Sequence, residues 1–507
     1  MDKGGIFLSR RKPIFYSALM LTGVNLLLRF VGTSFQVYIS AALGPAGVGL
    51  LQLVLSVGSL AMVAGIAGVR TATMYLTAEE LGKGKPRNVI WILSCAFLYS
   101  ILCSGLLSGL LFFFAPQITQ RWIGDIRTLE ALRLFASFLP VSCLCSVMTG
   151  YFTAENRIGT LAAVEVAEQL ASMAVTMVCL TCWAGGDPGR ACISVIFGSC
   201  MGACLTLLCL VVLRIWERAE PGPRIPVRSR LLQTAVPLAM ADVLKSGITT
   251  TENLMVPKRL ALNPRISDPL AAFGMLSGMV FPVLMFPACI LFGLAELLIP
   301  ELARCAAAGS RHRIRYLVRR SLKVSMLYGM LLGGMMFLLA DPLCQALYKN
   351  TDAGILLKRY AILVPMLYCD AITDAMTKGL GQQRACVRYN ILTSAMDVAF
   401  LYILLPGYGM DGYFASFLVT HLLNFLLSLR RLLKISGVRI PFHVPSLTVS
   451  GALASLWAAA HLPNPGLCCC AYVLLLGCSL YLCQIIRKED VFWLRKLVFP
   501  TQNHCVS

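Results

Sequence analysis

Charge is the commodity this chain is shortest of. Asp, Glu, Lys and Arg make up only 13% of its 507 residues, with 24 acids and 5 histidines in all. A soluble domain carries about 25%. Long polar connectors are missing too: none between the apolar runs exceeds roughly twenty residues, too short for a folded domain. A separate soluble enzyme therefore has nowhere to sit. Specific chemical signatures are also absent. There is no His-Glu-x-x-His, no Gly-rich nucleotide loop and no long loop bearing paired acids. Nucleic-acid binding is excluded by placement, since the +20 net charge lies in short connectors between apolar runs and never forms a stripe on a polar domain.

Apolar sequence fills the space. It reaches 58% of the chain, with mean hydropathy +0.75. A helix needs about 20 apolar residues to cross ~30 Å of hydrocarbon. By that measure about fourteen spans are expected, near 14–43, 46–78, 89–115, 129–150, 159–184, 191–213, 231–257, 269–299, 318–340, 355–378, 385–405, 411–432, 446–462 and 467–486. The first run follows Arg10, Arg11 and Lys12, as in a signal peptide, but it is too long for one and contains Arg29. It reads as an uncleaved span.

Lys and Arg alternate across these spans. With the N-terminus inside, inner connectors carry more than three times the cations of outer ones. That asymmetry predicts an even number of crossings and both termini in the cytoplasm. The expected architecture is an all-α polytopic membrane protein. It comprises a cytoplasmic N-terminus (1–13), a first lobe of six spans (14–213), a basic linker (214–230), a second six-span lobe (231–432), two further spans (433–486) and a cytoplasmic tail (487–507). A faint echo supports duplication: Met148-Thr149 precedes Glu155-Asn156-Arg157, and Met376-Thr377 precedes Gln382-Gln383-Arg384. Duplicated halves with a site between them are a common transporter plan.

The 21 cysteines are scattered through apolar runs, and the lone Cys179-x-x-Cys182 has no second pair nearby. They read as small packing residues.

The few charges inside spans then carry the functional argument. Arg29 and Lys245 fall mid-span, where a cation costs about 2.5–3.5 kcal/mol on insertion scales. Each suits a polar cavity holding something anionic, or an ion pair within the bundle. Arg70, Lys258 and Arg259 lie nearer span ends and can snorkel. Glu165, Glu168, Asp242, Glu252, Glu296, Asp370, Asp374 and Asp397 lie in or near spans. Asp370, Asp374 and Lys378 are spaced i, i+4, i+8, which stacks them on one helix face as a salt-bridge ladder or a cation relay. His421 reads as a packed histidine. Pro282 and Pro287 lack backbone donors and bend the eighth span, as a hinge or as simple helix shaping.

Several stretches resemble a known family. Arg29-Phe30-Val31-Gly32 followed by Leu43-Gly44-Pro45-x-Gly47-Val48-Gly49-Leu50 is similar to the first helix and hairpin of the stage V sporulation protein B group. Glu252-Asn253-Leu254-x-Val256-Pro257-x-Arg259-Leu260, Phe273-Gly274-Met275-Leu276-Ser277-Gly278-Met279, Gly379-Leu380-Gly381-Gln382 and Gly407-Tyr408-Gly409-Met410-Asp411-Gly412-Tyr413 extend the likeness along nearly the whole chain. The group belongs to the multidrug/oligosaccharidyl-lipid/polysaccharide exporter superfamily.

The resemblance implies two lobes in a V, alternating access, and an undecaprenyl-pyrophosphate-linked saccharide as cargo, with lipid II for spore peptidoglycan in first place. Arg29 resembles a first-helix arginine of the lipid II flippases, and Arg70 occupies a comparable second-helix slot. A further first-helix arginine of those flippases falls on Phe35 here. Glu168 and Glu252 match family positions. The expected substrate-binding set is thus Arg29, Arg70, Lys245, Glu168, Glu252 and Arg259, because guanidinium groups grip phosphate oxygens bidentately. Asp370, Asp374 and Glu296 are the expected sites for a coupling cation, H+ or Na+. Pro282 and Pro287 are the expected hinge.

No catalytic residue, resident metal or organic cofactor is expected. The expected partners are the lipid-linked saccharide pyrophosphate, membrane lipids and proteins of peptidoglycan synthesis, around a monomer in the bacterial cytoplasmic membrane. Two other readings stay open. A cation-coupled drug exporter of the same superfamily would be expected to carry a first-helix acid, and this first helix carries Arg29 instead. A non-transporting scaffold of envelope synthesis would leave the charges inside the spans unexplained.

Overall fold

A computed structural model describes residues 11–66, 68–83, 85–155, 157–215, 227–439 and 443–483. Most of the expected N-terminal segment and basic linker, and the whole 487–507 tail, lie outside these residues. The described chain is helical throughout, with no strand among the described residues. In order it forms α1 (Arg11–Ile66), α2 (Val69–Gly82), α3 (Val89–Gln117), α4 (Leu129–Ala154), α5 (Ile158–Cys182), α6 (Pro188–Ile215), α7 (Val227–Leu260), α8 (Pro269–Gly274) and α9 (Phe281–Met285). It continues with α10 (Ala288–Ala307), α11 (Arg311–Tyr348), α12 (Thr351–Ala361), α13 (Val364–Gly379), α14 (Gln383–Tyr408), α15 (Met410–Ser436), α16 (His443–Ala459) and α17 (Pro465–Leu482).

The protein is an all-α, multi-pass membrane protein. Every stretch expected to span falls on a helix or a broken helix pair. Nine of the described helices are long and apolar enough to cross a membrane alone, or ten if one bent pair is counted. The differences from fourteen have physical causes. The first two stretches run together as one helix broken at Gly44, whose φ of 68 and ψ of 173 precede Pro45. A second break comes at Gly68, φ 72, inside the expected 46–78 span. α7 is one unbroken helix of 34 residues, and Asp242, Lys245 and Glu252 make it too polar to be counted by apolarity alone. The 269–299 stretch bends by 63° between Met285 and Ala288. The 355–378 stretch divides into α12 and α13, of 11 and 16 residues. α16 is 17 residues long, just short of a span.

Packing density divides the chain into two units. The first takes Met1–Cys289 and Ile391–Thr420, the second Ile290–Asn390 and His421–Ser507. The boundaries fall within α10, α14 and α15. Lipid offers no hydrophobic drive between helices, so close packing of small residues does that work. In the first unit, a Cβ on Gly150 would collide with the Arg70 carbonyl, so glycine there lets α4 press against the start of α2. Around this crossing Val69, Ala72, Leu76, Ile92, Val147, Tyr151 and Phe152 form a closed core. The Tyr151 and Phe152 rings meet edge-on at 5.1 Å, a favoured aromatic geometry.

An ion network ties α2 to α7 at their neighbouring ends. Arg230 meets both Glu79 and Glu80, while Glu80 is buried and accepts from Asn88 at 2.9 Å. Lys83 binds Glu79 at 2.7 Å and Glu80 at 3.2 Å, and these carboxylates raise its pKa. In the second unit, α11 is the spine. Tyr472 on α17 donates to the Met330 carbonyl at 2.8 Å, its ring seated against Gly334.

Candidate functional site: a mixed-charge chamber in the first unit

A chamber of about 270 Å³ opens among α1, α2, α4, α5 and α6. Its charged groups are Arg70, Glu165 and Glu168; Ser142, Ser146, Thr149, Ser199 and Thr206 add hydroxyls. Helical spacing explains the convergence. Ser142, Ser146 and Thr149 lie at i, i+4 and i+7 on α4, Glu165 and Glu168 at i and i+3 on α5, and Ser199 and Thr206 at i and i+7 on α6, so each set shares one face.

Arg70 stands in the first turn of α2, two residues after the left-handed Gly68. A cation there opposes the helix dipole by about 0.3–1 kcal/mol, so helix stability does not explain it. Its side chain is exposed, and it makes no hydrogen bond or ion pair among the described residues. Glu165 is half-buried and interacts electrostatically with Arg70 without a direct ion pair. Glu168 is fixed instead: Thr206 donates to its Oε2 at 2.6 Å, tying α5 to α6. A Cβ on Gly202 would lie 3.2 Å from Glu168 Cγ, so the glycine makes room for that side chain.

A second polar cluster lies in the same unit. The Glu252 and Asp397 carboxyl groups face each other within hydrogen-bonding reach. Asp397 is 5% exposed and accepts from Ser416 at 2.5 Å and Thr420 at 3.1 Å. Two carboxylates at this separation repel unless a proton or cation lies between them.

The other expected site residues are dispersed. Arg29 is exposed on α1, and its carbonyl accepts from Thr33 at 2.8 Å. Lys245 is exposed on α7 with no ion pair among the described residues. Neither lines the chamber. Arg259 stacks over the Tyr402 ring at 3.1 Å. In the second unit, Asp370 leaves the expected ladder and accepts from Asn424 at 3.2 Å, whereas Asp374 pairs with Lys378 at 2.6 Å. Glu296 is exposed on α10. Pro282 is the second residue of α9 and Pro287 sits in the 63° bend.

Of the expected binding residues, the fold thus gathers Arg70 and Glu168 at one chamber. It adds Glu165, already noted among the acids in or near spans, and Thr206 and the serine faces, which no expectation had singled out. The Glu252–Asp397 pairing had no local signal, because 145 positions separate the two.

The sequence profile of a family described as polysaccharide biosynthesis protein matches residues 42–351. The stage V sporulation protein B of Bacillus subtilis (strain 168) is 22% identical over 412 residues, covering 78% of each chain. Among solved structures, a lipid II flippase, MurJ, in an inward closed conformation matches with a TM-score of 0.65 at 13% identity. It covers 95% of this chain and 100% of that one. A multidrug resistance MATE family transporter of the MOP superfamily, facing inward, matches with a TM-score of 0.66 at 13% identity, covering 83% and 98%. These structural neighbours are a flippase and a transporter, not enzymes, and share this fold. With more than half its length matched by the family profile, the chain belongs to the polysaccharide biosynthesis protein family, built on the fold of the MOP superfamily transporters.

Proposed function

We propose that this protein moves a lipid-linked saccharide pyrophosphate across the bacterial cytoplasmic membrane by alternating access. The observation that carries the proposal is Arg70: a guanidinium free of ion pairs among the described residues, facing a polar chamber inside an apolar helical unit. A pyrophosphate cannot cross hydrocarbon unaided, and a guanidinium meets two phosphate oxygens at once. The fold shared with a lipid II flippase and the likeness to a sporulation protein support lipid II or a related envelope precursor as cargo.

In this reading the chain crosses the membrane fourteen times as two six-span lobes, 14–213 and 231–432, with two further spans and both termini cytoplasmic. It works as a monomer beside proteins of peptidoglycan synthesis. Arg29, Lys245 and Arg259 give further contacts to the anionic head, and the bend at Pro282 and Pro287 absorbs the rocking. A coupling cation, H+ or Na+, binds between Glu252 and Asp397. This pair suits the role better than Asp370, Asp374 or Glu296, because Ser416 and Thr420 already orient its carboxyls.

A second reading, a cation-coupled drug exporter, draws on the acids Glu165 and Glu168 and on the MATE-like fold. One experiment separates the two. Proteoliposomes are loaded with a fluorescent lipid-linked disaccharide or with a cationic dye. The flippase reading expects movement of the lipid and its loss in Arg70→Ala. Dye efflux without lipid movement would replace it with the exporter.

A further inference from the structure

We propose that the chamber in the first unit is a subsite for one sugar ring of the cargo, a class of ligand that its lining selects over a bare ion or a drug. The inference rests on the saccharide-flippase reading above and specifies which part of the cargo enters.

Mixed charge is the first argument. A lone cation in the chamber would face Arg70, and an anion seated beyond the reach of Arg70 would face Glu165 and Glu168. A neutral polyhydroxyl ring meets neither penalty and exchanges hydrogen bonds with all three.

The second argument is donor and acceptor bookkeeping. Thr149 donates its only hydroxyl proton to the Cys145 carbonyl at 2.9 Å, Ser199 to Val195 at 3.1 Å, and Ser146 to Ser142 at 3.3 Å. Each oxygen keeps its lone pairs for an incoming donor. Thr206 spends its proton on Glu168, whose second oxygen accepts no hydrogen bond among the described residues. The wall therefore presents an excess of acceptors, which is what sugar hydroxyls need, with Arg70 as the charged donor.

Shape and size supply the third. Phe135 lines the chamber, and a Cβ on Gly58 would lie 2.9 Å from its ring, so the missing side chain gives the ring its place. An aromatic face carries negative potential that attracts the C–H side of a sugar. The volume of about 270 Å³ falls just below the ~300–1,000 Å³ typical of drug-sized ligands. That is the scale of a single sugar ring, not of a polyprenyl chain.

Binding is read directly. Protein in lipid nanodiscs is mixed with N-acetylglucosamine, and saturation transfer from protein to sugar is followed by NMR. We expect transfer in wild type and its loss in Glu168→Gln. No transfer, or equal transfer in the variant, overturns the subsite.

Translocation gives an independent arm. Phe135→Ala and Glu168→Gln should slow a sugar-bearing lipid pyrophosphate about tenfold while leaving the sugar-free lipid pyrophosphate within about twofold of wild type. Equal losses on both cargoes overturn the subsite and leave the flippase intact. If wild type moves neither cargo, the flippase reading falls, and the saturation transfer alone decides whether the chamber binds sugar.

Discussion

The Thr206 hydroxyl donates to Glu168 Oε2 at 2.6 Å, joining α6 to α5 at the wall of the chamber. Thr206 is buried, so little water is on hand to replace it. Thr206→Val keeps the shape and removes the donor, which costs about 1–2 kcal/mol. The expected result is a lower melting temperature in detergent and slower lipid translocation, with Thr206→Ser restoring both. Unchanged translocation in Thr206→Val would detach Glu168 from the site.

Arg70 distinguishes a point charge from a planar fork. Arg70→Ala should abolish translocation, whereas Arg70→Lys should retain a fraction, because an ammonium holds phosphate without the bidentate geometry. Membrane insertion, checked by expression and gel filtration, should be normal in both. Full activity in Arg70→Ala would remove the phosphate contact.

Gly150 holds Arg70 from behind. A side chain there meets the Arg70 carbonyl, so Gly150→Val must push α4 from α2. Overpacking of this kind costs about 1–3 kcal/mol. Thermal unfolding should shift downward, and translocation should fall further than Gly82→Ala, where nothing lies within 4 Å, can make it fall.

Asp397 tests coupling. Asp397→Asn keeps both hydroxyl contacts in reach but removes one of two facing charges. Transport measured against Na+ and pH gradients should lose its dependence on one of them in this variant and in Glu252→Gln. Retained dependence in both would move the coupling ion elsewhere.

A pH effect is expected at the turn between α3 and α4. Burial alone would raise the Asp125 carboxyl, but hydrogen bonds from Arg127 bring it below its ordinary value of 3.8. A depressed carboxylate stabilises the fold at pH above the unfolded value, and that contribution fades as pH drops through the lower folded one. The melting difference between wild type and Asp125→Asn should therefore be constant near neutrality and shrink below about pH 3.8. Arg127 is half exposed, so the effect is small.

Much was legible before any coordinates. Apolar run length fixed the helices, because a chain in lipid must satisfy its backbone internally. The breaks at Gly44 and Pro287 fall at a Gly-Pro pair and at a proline, residues that disfavour a continuing helix. Lys and Arg asymmetry carried an expected orientation. Arg29 and Lys245 stood out as mid-span cations, while Arg70 and Glu168 were named through the family resemblance.

Pairing was another matter. Arg70 comes from the second helix and Glu168 from the fifth, and only the packing of α2, α4, α5 and α6 places them at one chamber. Glu252 finds Asp397 across 145 positions, while Asp370 abandons its i+4 neighbour for Asn424. Local spacing sets which side chains share a helix face, since that is geometry within one turn. Which faces meet depends on where glycines such as Gly150 let two backbones approach, and that contact exists only once the helices are assembled.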